Sequence, residues 1–232
     1  MITIDIWSDL ACPYCWIGKH RLQAALAELG PQFGPVQVNW RAFQLDPTAG
    51  LMPVPLRQAY EAKFGGAQRT EQLLANVQAQ ARADGLAMDF SQGQVKVSTL
   101  PAHRLLQQAQ AQGADVHAVA EALFSAHFAH GKNLADIQVL MAAGAAGGLD
   151  AAQVQDWQGS DQGLAELQAE MAQGQQAGIR SVPTFVINQR WAIAGAQPVA
   201  GFVQALRQIA AELAPAVAEP GAQACGPGAC SL

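Results

Sequence analysis

The chain has 232 residues, of which 50% are hydrophobic and 13% are charged, and its formal net charge is −5. This length and apolar content can form one large domain, or one domain with an insertion, without structural disulfides. There is no Lys/Arg run to neutralise a row of phosphates and no stretch of roughly 20 apolar residues to span a bilayer, so neither nucleic acid nor a membrane is expected as a partner.

The first predicted elements form a strand–helix–strand unit. Residues 2–8 alternate between apolar and polar side chains, which predicts a strand and not an export signal. The chain is therefore expected to work in the cytoplasm, where structural disulfides are rare. A helical pattern begins at Pro13 and runs to about Leu29, and "VQVNWRAFQL" at 36–45 alternates again. Such a unit implies a parallel pair of strands.

The remaining elements are a long helical block and a second group of strands. Helical patterns dominate from about residue 57 to 177. Strand character returns at 183–188 and 191–195, and a last helix is predicted at about 197–213. This order predicts an α/β, thioredoxin-like fold (βαβ…ββα) with a large all-helical insertion.

We predict three parts of the chain on this basis. A thioredoxin-like domain is interrupted by a helical insertion, which caps it, and is followed by a flexible tail rich in Pro, Gly and Ala. These parts are residues 1–55 together with 178–214, residues 56–177, and residues 215–232.

Two cysteines lie at the predicted start of the first helix, in "ACPYC". Cys12 precedes Pro13, which suits the first helical position, and Cys15 follows one turn later. A thiolate at a helix N-terminus accepts backbone N–H bonds and is stabilised by the helix dipole. Cys12 is therefore the predicted nucleophile, and Cys15 the thiol that resolves its mixed disulfide. A pair of buried core thiols, or half of a zinc site, remains an alternative at this point.

Two observations favour the redox interpretation of the pair. The cysteines follow a strand and begin a helix, which is the arrangement of a redox motif and not of a zinc knuckle. In addition, Val182-Pro183 precedes a predicted strand, and a proline there is often cis and can bring an unpaired backbone edge to a neighbouring site. An ordinary edge-strand proline is the alternative reading of Pro183.

Several stretches resemble the DsbA family of thiol–disulfide oxidoreductases, and most of all its cytoplasmic FrnE-like branch. They are "SDLACPYCWIG" (8–18), "FQLDP" (43–47), "LFSAHFAHGKNLAD" (123–136), "AGIRSVPTFVIN" (177–188) and "GAQP" (195–198). The resemblance implies a thioredoxin fold with a helical insertion, Cys12 as an exposed nucleophile and Cys15 as the resolving thiol. It also implies that Pro183 is a cis-proline facing the cysteines, and that the backbone of Val182 pairs with an extended substrate peptide.

One departure from the family concerns the residues between the cysteines. Exported DsbA proteins typically carry His there, whereas this chain has Tyr14, which cannot supply a cationic donor to a thiolate. Pro13 and Tyr14 are therefore the predicted modulators of the pair. We expect a reduction potential of about −200 to −230 mV, in the glutaredoxin range, and not the roughly −120 mV of DsbA.

Asp9, close to the motif in the sequence, and His103, in the predicted cap, are two further titratable residues of interest. Asp9 precedes Cys12 by three positions, where it can tune the thiol electrostatically, cap the helix or face solvent. His103 lies in the predicted cap, where it can line the active-site groove, and it is given no catalytic role. The histidines as a group show no metal-binding motif, so no metal site is predicted.

A second cysteine pair lies in the tail, in "CGPGAC". Its flexible turn lets the sulfurs of Cys225 and Cys230 meet, so we predict a redox relay that exchanges disulfides with Cys12 and Cys15. Two inert thiols are one alternative. A zinc site formed by the tail pair or by all four cysteines is another, although the usual ligand spacing is missing.

The function expected from the sequence is reduction, oxidation or isomerisation of protein disulfides. The chain's own cysteines are the only redox group expected, and no other cofactor is predicted, with glutathione or a thioredoxin-type reductant as candidate electron donors. The expected partners are protein or peptide thiols and disulfides, and the protein is expected to be a monomer or a homodimer. Alternatives are a glutathione-dependent enzyme like the kappa-class transferases and the 2-hydroxychromene-2-carboxylate isomerases, which normally have Ser in place of Cys12, and a peptide-binding, chaperone-like module.

Overall fold

The structure is a computed structural model that describes residues 1–213. Its strands are β1 Ile2–Ser8, β2 Val36–Ala42, β3 Val54–Pro55, β4 Val95–Lys96, β5 Thr184–Ile187 and β6 Trp191–Ala194. Its α-helices are α1 Pro13–Leu29, α2 Leu56–Phe64, α3 Ala67–Ala83, α4 Leu100–Ala111, α5 Val116–Phe128, α6 Ile137–Ala146, α7 Ala151–Gln158, α8 Leu164–Gln176 and α9 Val199–Leu213. The two strand groups and the helical block between them confirm the predicted thioredoxin-like order.

The main sheet has four strands in the order β2-β1-β5-β6. β1 is parallel to β2, as the strand–helix–strand pattern predicts, and antiparallel to β5, which pairs in turn with β6. Ser8 at the end of β1 is paired with Ala42, and Trp7 is paired with Thr184 at the start of β5. The loop after β1 and the segment before β5 therefore meet at one edge of the sheet.

Helices cover both faces of this sheet. The paired residues Ile6 and Phe185 lie on the face covered by α1 and α9, where the Phe185 ring packs edge-on against Phe202 at 4.8 Å between centroids. On the other face, the Trp7 side chain packs against Gly174 of α8. Burial on both faces explains why nearly every residue of β1 is buried despite its alternating sequence.

The helical block extends the same core. Trp16 of α1 stacks against Phe124 and Phe128 of α5, with ring centroids 6.3 and 6.1 Å apart. These residues belong to one continuous hydrophobic cluster that includes the β1 and β5 side chains. In the described chain, no helix has the length and apolar character required to cross a membrane.

The prediction of an entirely helical insertion needs one correction. Within residues 56–177 the structure contains β4, which pairs with β3 in antiparallel fashion. The backbone N–H of Leu56 extends this pair by donating to the carbonyl of Gln94 at 2.9 Å. Both short segments are biased to extended backbone, because Val54 precedes a proline and Val95 is β-branched.

The contact between α8 and the sheet gives a stability prediction. A β-carbon on Gly174 would lie 2.3 to 2.9 Å from three atoms of the Trp7 ring, which is closer than packed atoms can approach. We therefore expect Gly174→Ala to destabilise the fold by about 1–3 kcal/mol, measured by urea unfolding. Gly201→Ala in α9 is the matched control, since its β-carbon would meet neighbours only at 3.7 and 3.9 Å. This control should leave stability unchanged or raise it by up to about 1 kcal/mol; equal stability of the two variants would contradict the packing argument.

Candidate active site

The site begins at the turn between β1 and α1. Cys12 occupies the N-cap position of α1 with extended backbone, and Pro13 takes the first helical position. The N–H of Cys12 donates to the carbonyl of Asp9 at 3.0 Å, and the N–H of Cys15 donates to the carbonyl of Cys12 at 3.0 Å. The helix start predicted from the "CPYC" spacing is confirmed, and both thiols lie at the same end of α1.

Cys12 differs in one respect from the expectation that came with the family resemblance. The resemblance implies an exposed nucleophile, but the residue is only 5% exposed. Its Sγ donates to the backbone carbonyl of Val182 at 3.8 Å, so the segment before β5 covers the thiol. Cys12 therefore lies at the helix N-terminus as predicted, but its side chain is buried.

Cys15 is more deeply buried, with 1% exposure. Burial raises its pKa well above the ordinary value, and the adjacent Cys12 thiol raises it further. The Ser8 hydroxyl and the Asp9 backbone oppose this effect without overcoming it. A buried, protonated thiol one turn behind Cys12 matches the role predicted for the resolving cysteine.

The peptide bond between Val182 and Pro183 is cis, and Pro183 lies immediately before β5. It is packed against α1, where a β-carbon on Gly18 would lie 3.0 Å from the proline Cγ. Val182 precedes the first residue pair of both β5 ladders, so its backbone is not part of the sheet. The structure thus brings Val182, Pro183 and Cys12 together, as the sequence predicted.

A cavity of about 530 Å³ opens beside the loop that precedes Cys12. Its lining includes Asp9, Leu45 and Tyr60. Burial raises the pKa of the Tyr60 phenol, and electrostatic interactions with Cys12 and Asp9 raise it further. Tyr14, between the two cysteines, is 41% exposed and presents an aromatic surface next to the site.

A second set of polar contacts joins α1 to α5 and was not anticipated from the sequence. Glu121 of α5 accepts a hydrogen bond from the indole Nε1 of Trp16 at 3.0 Å and pairs with Lys19 at 2.5 Å. Lys19 is only 3% exposed, so the carboxylate balances a buried charge. His20 lies 3.6 Å from the same carboxylate. Trp16, Lys19 and His20 share a helix face, but the sequence does not show which element they contact.

The Glu121 contacts predict a pH-dependent contribution to stability. Burial opposes the charge of Glu121, but His20, Lys19 and Trp16 outweigh it and lower its pKa from 4.5 to about 2. Because the pKa of Glu121 is lower in the folded protein than in the unfolded chain, the charged carboxylate contributes its full stabilisation above pH 4.5. This stabilisation is lost as the pH falls towards 2. Because the side chain is 37% exposed, we expect Glu121→Gln to cost only about 1–2 kcal/mol at pH 7. Urea unfolding at pH 7 and pH 3 measures this effect, which should shrink at the lower pH.

The matched control for Glu121→Gln is Glu71→Gln, an exposed glutamate of α3. It should leave stability within about 0.5 kcal/mol at both pH values. A Glu121→Gln loss that stays the same between pH 7 and pH 3 would show that the charge is not responsible.

The remaining candidates fall into two groups. Asp9 and His103, considered separately in the sequence, are brought together in the interior, with the imidazole Nε2 3.5 Å from the carboxylate. His127 is buried, and burial lowers its pKa to about 4. Across residues 1–213 no cluster of three or more His, Cys, Asp or Glu side chains is arranged to hold a metal ion. Cys225 and Cys230 lie outside the described residues, so the tail relay stays a prediction.

These features define a class of protein. A Cys-x-x-Cys pair at the start of the helix in a strand–helix–strand unit, next to a cis-proline segment before an antiparallel strand, is the arrangement typical of thioredoxin-fold proteins. The chain belongs to the DsbA family, because the model of the DSBA-like thioredoxin domain matches residues 3–207. A search of curated proteins found no match.

Solved structures support this assignment. A probable DsbA oxidoreductase from Streptomyces coelicolor is 33% identical, with a TM-score of 0.85 and coverage of 100% of this chain and 99% of that chain. The cytosolic disulfide reductase DsbM from Pseudomonas aeruginosa, also solved with GSH, is 22% identical. Without GSH it has a TM-score of 0.58 and coverage of 91% and 100%. A 2-hydroxychromene-2-carboxylate isomerase is 14% identical, with a TM-score of 0.64 and coverage of 92% and 100%. The last two similarities show the shared fold alone.

Proposed function

We propose that this protein is a thiol–disulfide oxidoreductase that acts through Cys12 and Cys15. The observation that carries the proposal is the arrangement of the two thiols. Cys12 occupies the N-cap position of α1 and faces the Val182 carbonyl at 3.8 Å, while Cys15 is buried one turn behind it. Backbone N–H groups at a helix N-terminus favour a thiolate, and a neighbouring thiol can resolve the adduct that this thiolate forms.

The proposed reduction of a substrate disulfide takes two exchange steps. The Cys12 thiolate attacks one substrate sulfur, the substrate S–S bond breaks, and the departing sulfur takes up a proton. Cys15 then loses its proton and attacks the Cys12 sulfur, which releases the second substrate thiol and forms the Cys12–Cys15 disulfide. The substrate gains two electrons and the enzyme loses two, and the same steps in reverse oxidise a dithiol.

Substrate binding is proposed at the segment before β5. The Val182 backbone lies outside the sheet ladders and beside Cys12, so an extended peptide can pair with it as an added strand. Tyr14 and Leu45, 41% and 44% exposed, add apolar surface near the pair. We propose protein or peptide disulfides as substrates, glutathione or a thioredoxin-type protein as electron donor, and a cytoplasmic, FrnE-like role.

The proposal is tested by following the reduction of a peptide with a single disulfide. Glutathione, with glutathione reductase and NADPH to recycle it, supplies the electrons. We expect the protein to increase the rate well above the glutathione-only rate in proportion to its concentration. Replacing glutathione with thioredoxin and its reductase compares the two donors. The proposal would be contradicted if the protein accelerated neither the reduction of the peptide disulfide with either donor nor the oxidation of the reduced peptide.

A further inference from the structure

A carboxylate and an imidazole are buried together beside the loop that carries Cys12. Asp9 and His103 are each 2% exposed, and the Nε2 atom of His103 lies 3.5 Å from Oδ1 of Asp9. Among the described residues, this nitrogen makes no hydrogen bond of good geometry. The exchange steps proposed above do not use either side chain. Two ionisable groups in the interior are costly unless they are paired, so their position beside the dithiol requires an explanation.

Asp9 is held firmly, and close to the nucleophile. Its Oδ2 accepts the N–H of Leu45 at 2.7 Å, and its Oδ1 accepts the N–H of Ala11 at 3.3 Å. Its backbone carbonyl accepts the N–H of Cys12 at 3.0 Å. The carboxylate is thus fixed against the residue immediately before Cys12 and against the loop after β2.

The carboxylate is charged at neutral pH. Burial opposes the charge, but the contacts with His103 and the Leu45 N–H outweigh it and hold the pKa of Asp9 below its ordinary value. A negative charge in the interior acts over a longer distance than one in water, because the low dielectric screens it less. The thiolate of Cys12, which the proposed function requires, is therefore formed in the field of a second negative charge.

Three other titratable groups around Asp9 are neutral near pH 7. On α2, burial and the charges of Cys12 and Asp9 raise the pKa of Tyr60, so the phenol keeps its proton. On α5, burial lowers the pKa of His127 to about 4. On α1, Cys15 keeps its proton because burial raises its pKa.

The lysines near Asp9 are placed differently from His103. Lys63 and Lys96 line the cavity beside Asp9. Lys96 is 40% exposed and is paired with the carboxylate of Asp46. His103, in contrast, contacts Asp9 directly and is shielded from water. His103 is therefore the group placed to balance the Asp9 charge.

We infer that Asp9 and His103 are a positioning pair that sets the reactivity of Cys12, with the Asp9 carboxylate disfavouring the Cys12 thiolate and His103 offsetting that effect. The inference deepens the proposed function and rests on it. Stabilising the thiolate stabilises the reduced dithiol and makes a protein more oxidising. Asp9 therefore makes the pair more reducing, and His103 limits this effect.

Asp9→Asn and His103→Gln test the inference, because they remove the two members of the pair with little change of volume. In the reduced protein, we expect Asp9→Asn to raise the rate of Cys12 alkylation by iodoacetamide at pH 6 about threefold, and His103→Gln to lower it by a similar factor. Peptide mass identifies the modified cysteine. The exchange equilibrium with glutathione should shift in the same sense, with Asp9→Asn more oxidising and His103→Gln more reducing.

Opposite signs distinguish an electrostatic pair from a merely structural contact. Asp156→Asn, on the exposed side of α7, controls for the loss of one negative charge and should change neither readout. If Asp9→Asn does not fold, His103→Gln still tests the sign. Unchanged rates, or rates that move in the same direction in both variants, would overturn the inference. If the wild-type pair never exchanges with glutathione, the proposed function fails, whereas the alkylation rates still decide the role of Asp9 and His103.

Discussion

Replacing Cys15 with serine is expected to trap substrates on Cys12 as mixed disulfides. The first exchange step needs only the Cys12 thiolate, which Cys15→Ser retains. The second step needs the Cys15 sulfur, and a hydroxyl cannot replace it because it does not exchange with a disulfide. Incubating the reduced variant with a single-disulfide peptide should convert most of the protein to a covalent adduct. The wild type should show almost none, because Cys15 releases the peptide.

Intact mass and peptide mapping measure this adduct. The adduct should map to Cys12 and disappear on treatment with dithiothreitol. A Cys12→Ser/Cys15→Ser double variant is the matched control, and no peptide adduct should form at residue 12 or 15 of this variant. An adduct that maps only to Cys225 or Cys230, or no adduct at all, would contradict the assigned roles. Adducts on both Cys12 and the tail would instead support the predicted relay.

Replacing Cys12 with serine is expected to abolish disulfide exchange. Cys12 occupies the N-cap position of α1, one turn ahead of Cys15, and its thiol faces the Val182 carbonyl at 3.8 Å. Because the nucleophile is lost, turnover of a disulfide peptide should fall by at least about three orders of magnitude. Serine is similar in size, so the urea midpoint should change little. Steady-state kinetics beside an unfolding curve separates loss of chemistry from loss of fold.

The same variant distinguishes the proposed function from its alternatives. The kappa-class transferases and the 2-hydroxychromene-2-carboxylate isomerases, named above as alternatives, normally have serine in place of Cys12, so a Cys12→Ser variant with full glutathione-dependent activity would favour that reading. A variant without Cys12 and Cys15 that still suppresses client aggregation as well as the wild type would favour a peptide-binding module. Under the present account, neither result is expected.

The local patterns predicted most of the sheet and the first part of the site. The alternating patterns in residues 2–8 and 36–45 predicted the parallel strand pair, because alternation and turn residues are local signals in the sequence. The "CPYC" spacing placed Cys12 and Cys15 on one end of α1 for the same reason. The strand predicted after Pro183, together with the family resemblance, indicated that Val182 and Pro183 lie opposite Cys12.

Other features depend on contacts between distant parts of the chain. The burial of Cys12 follows from the position of the Val182 carbonyl, which the motif does not encode. Glu121 was not identified because its partners lie on α1, and a lone glutamate in a helix normally faces solvent. Asp9 and His103 were each considered, but only the packing of α4 against the loop after β1 shows that they meet.

The central claim is that Cys12 and Cys15 form a reversible redox pair, and a titration tests it most directly. Purified protein is equilibrated in glutathione buffers of graded potential, quenched in acid and alkylated, and the thiols of each cysteine pair are counted by mass. The account predicts that Cys12 and Cys15 lose and regain two thiols together, with a midpoint near −200 to −230 mV. A pair that stays reduced or oxidised across the whole series would contradict the account, and a midpoint above about −150 mV would contradict the predicted effect of Tyr14.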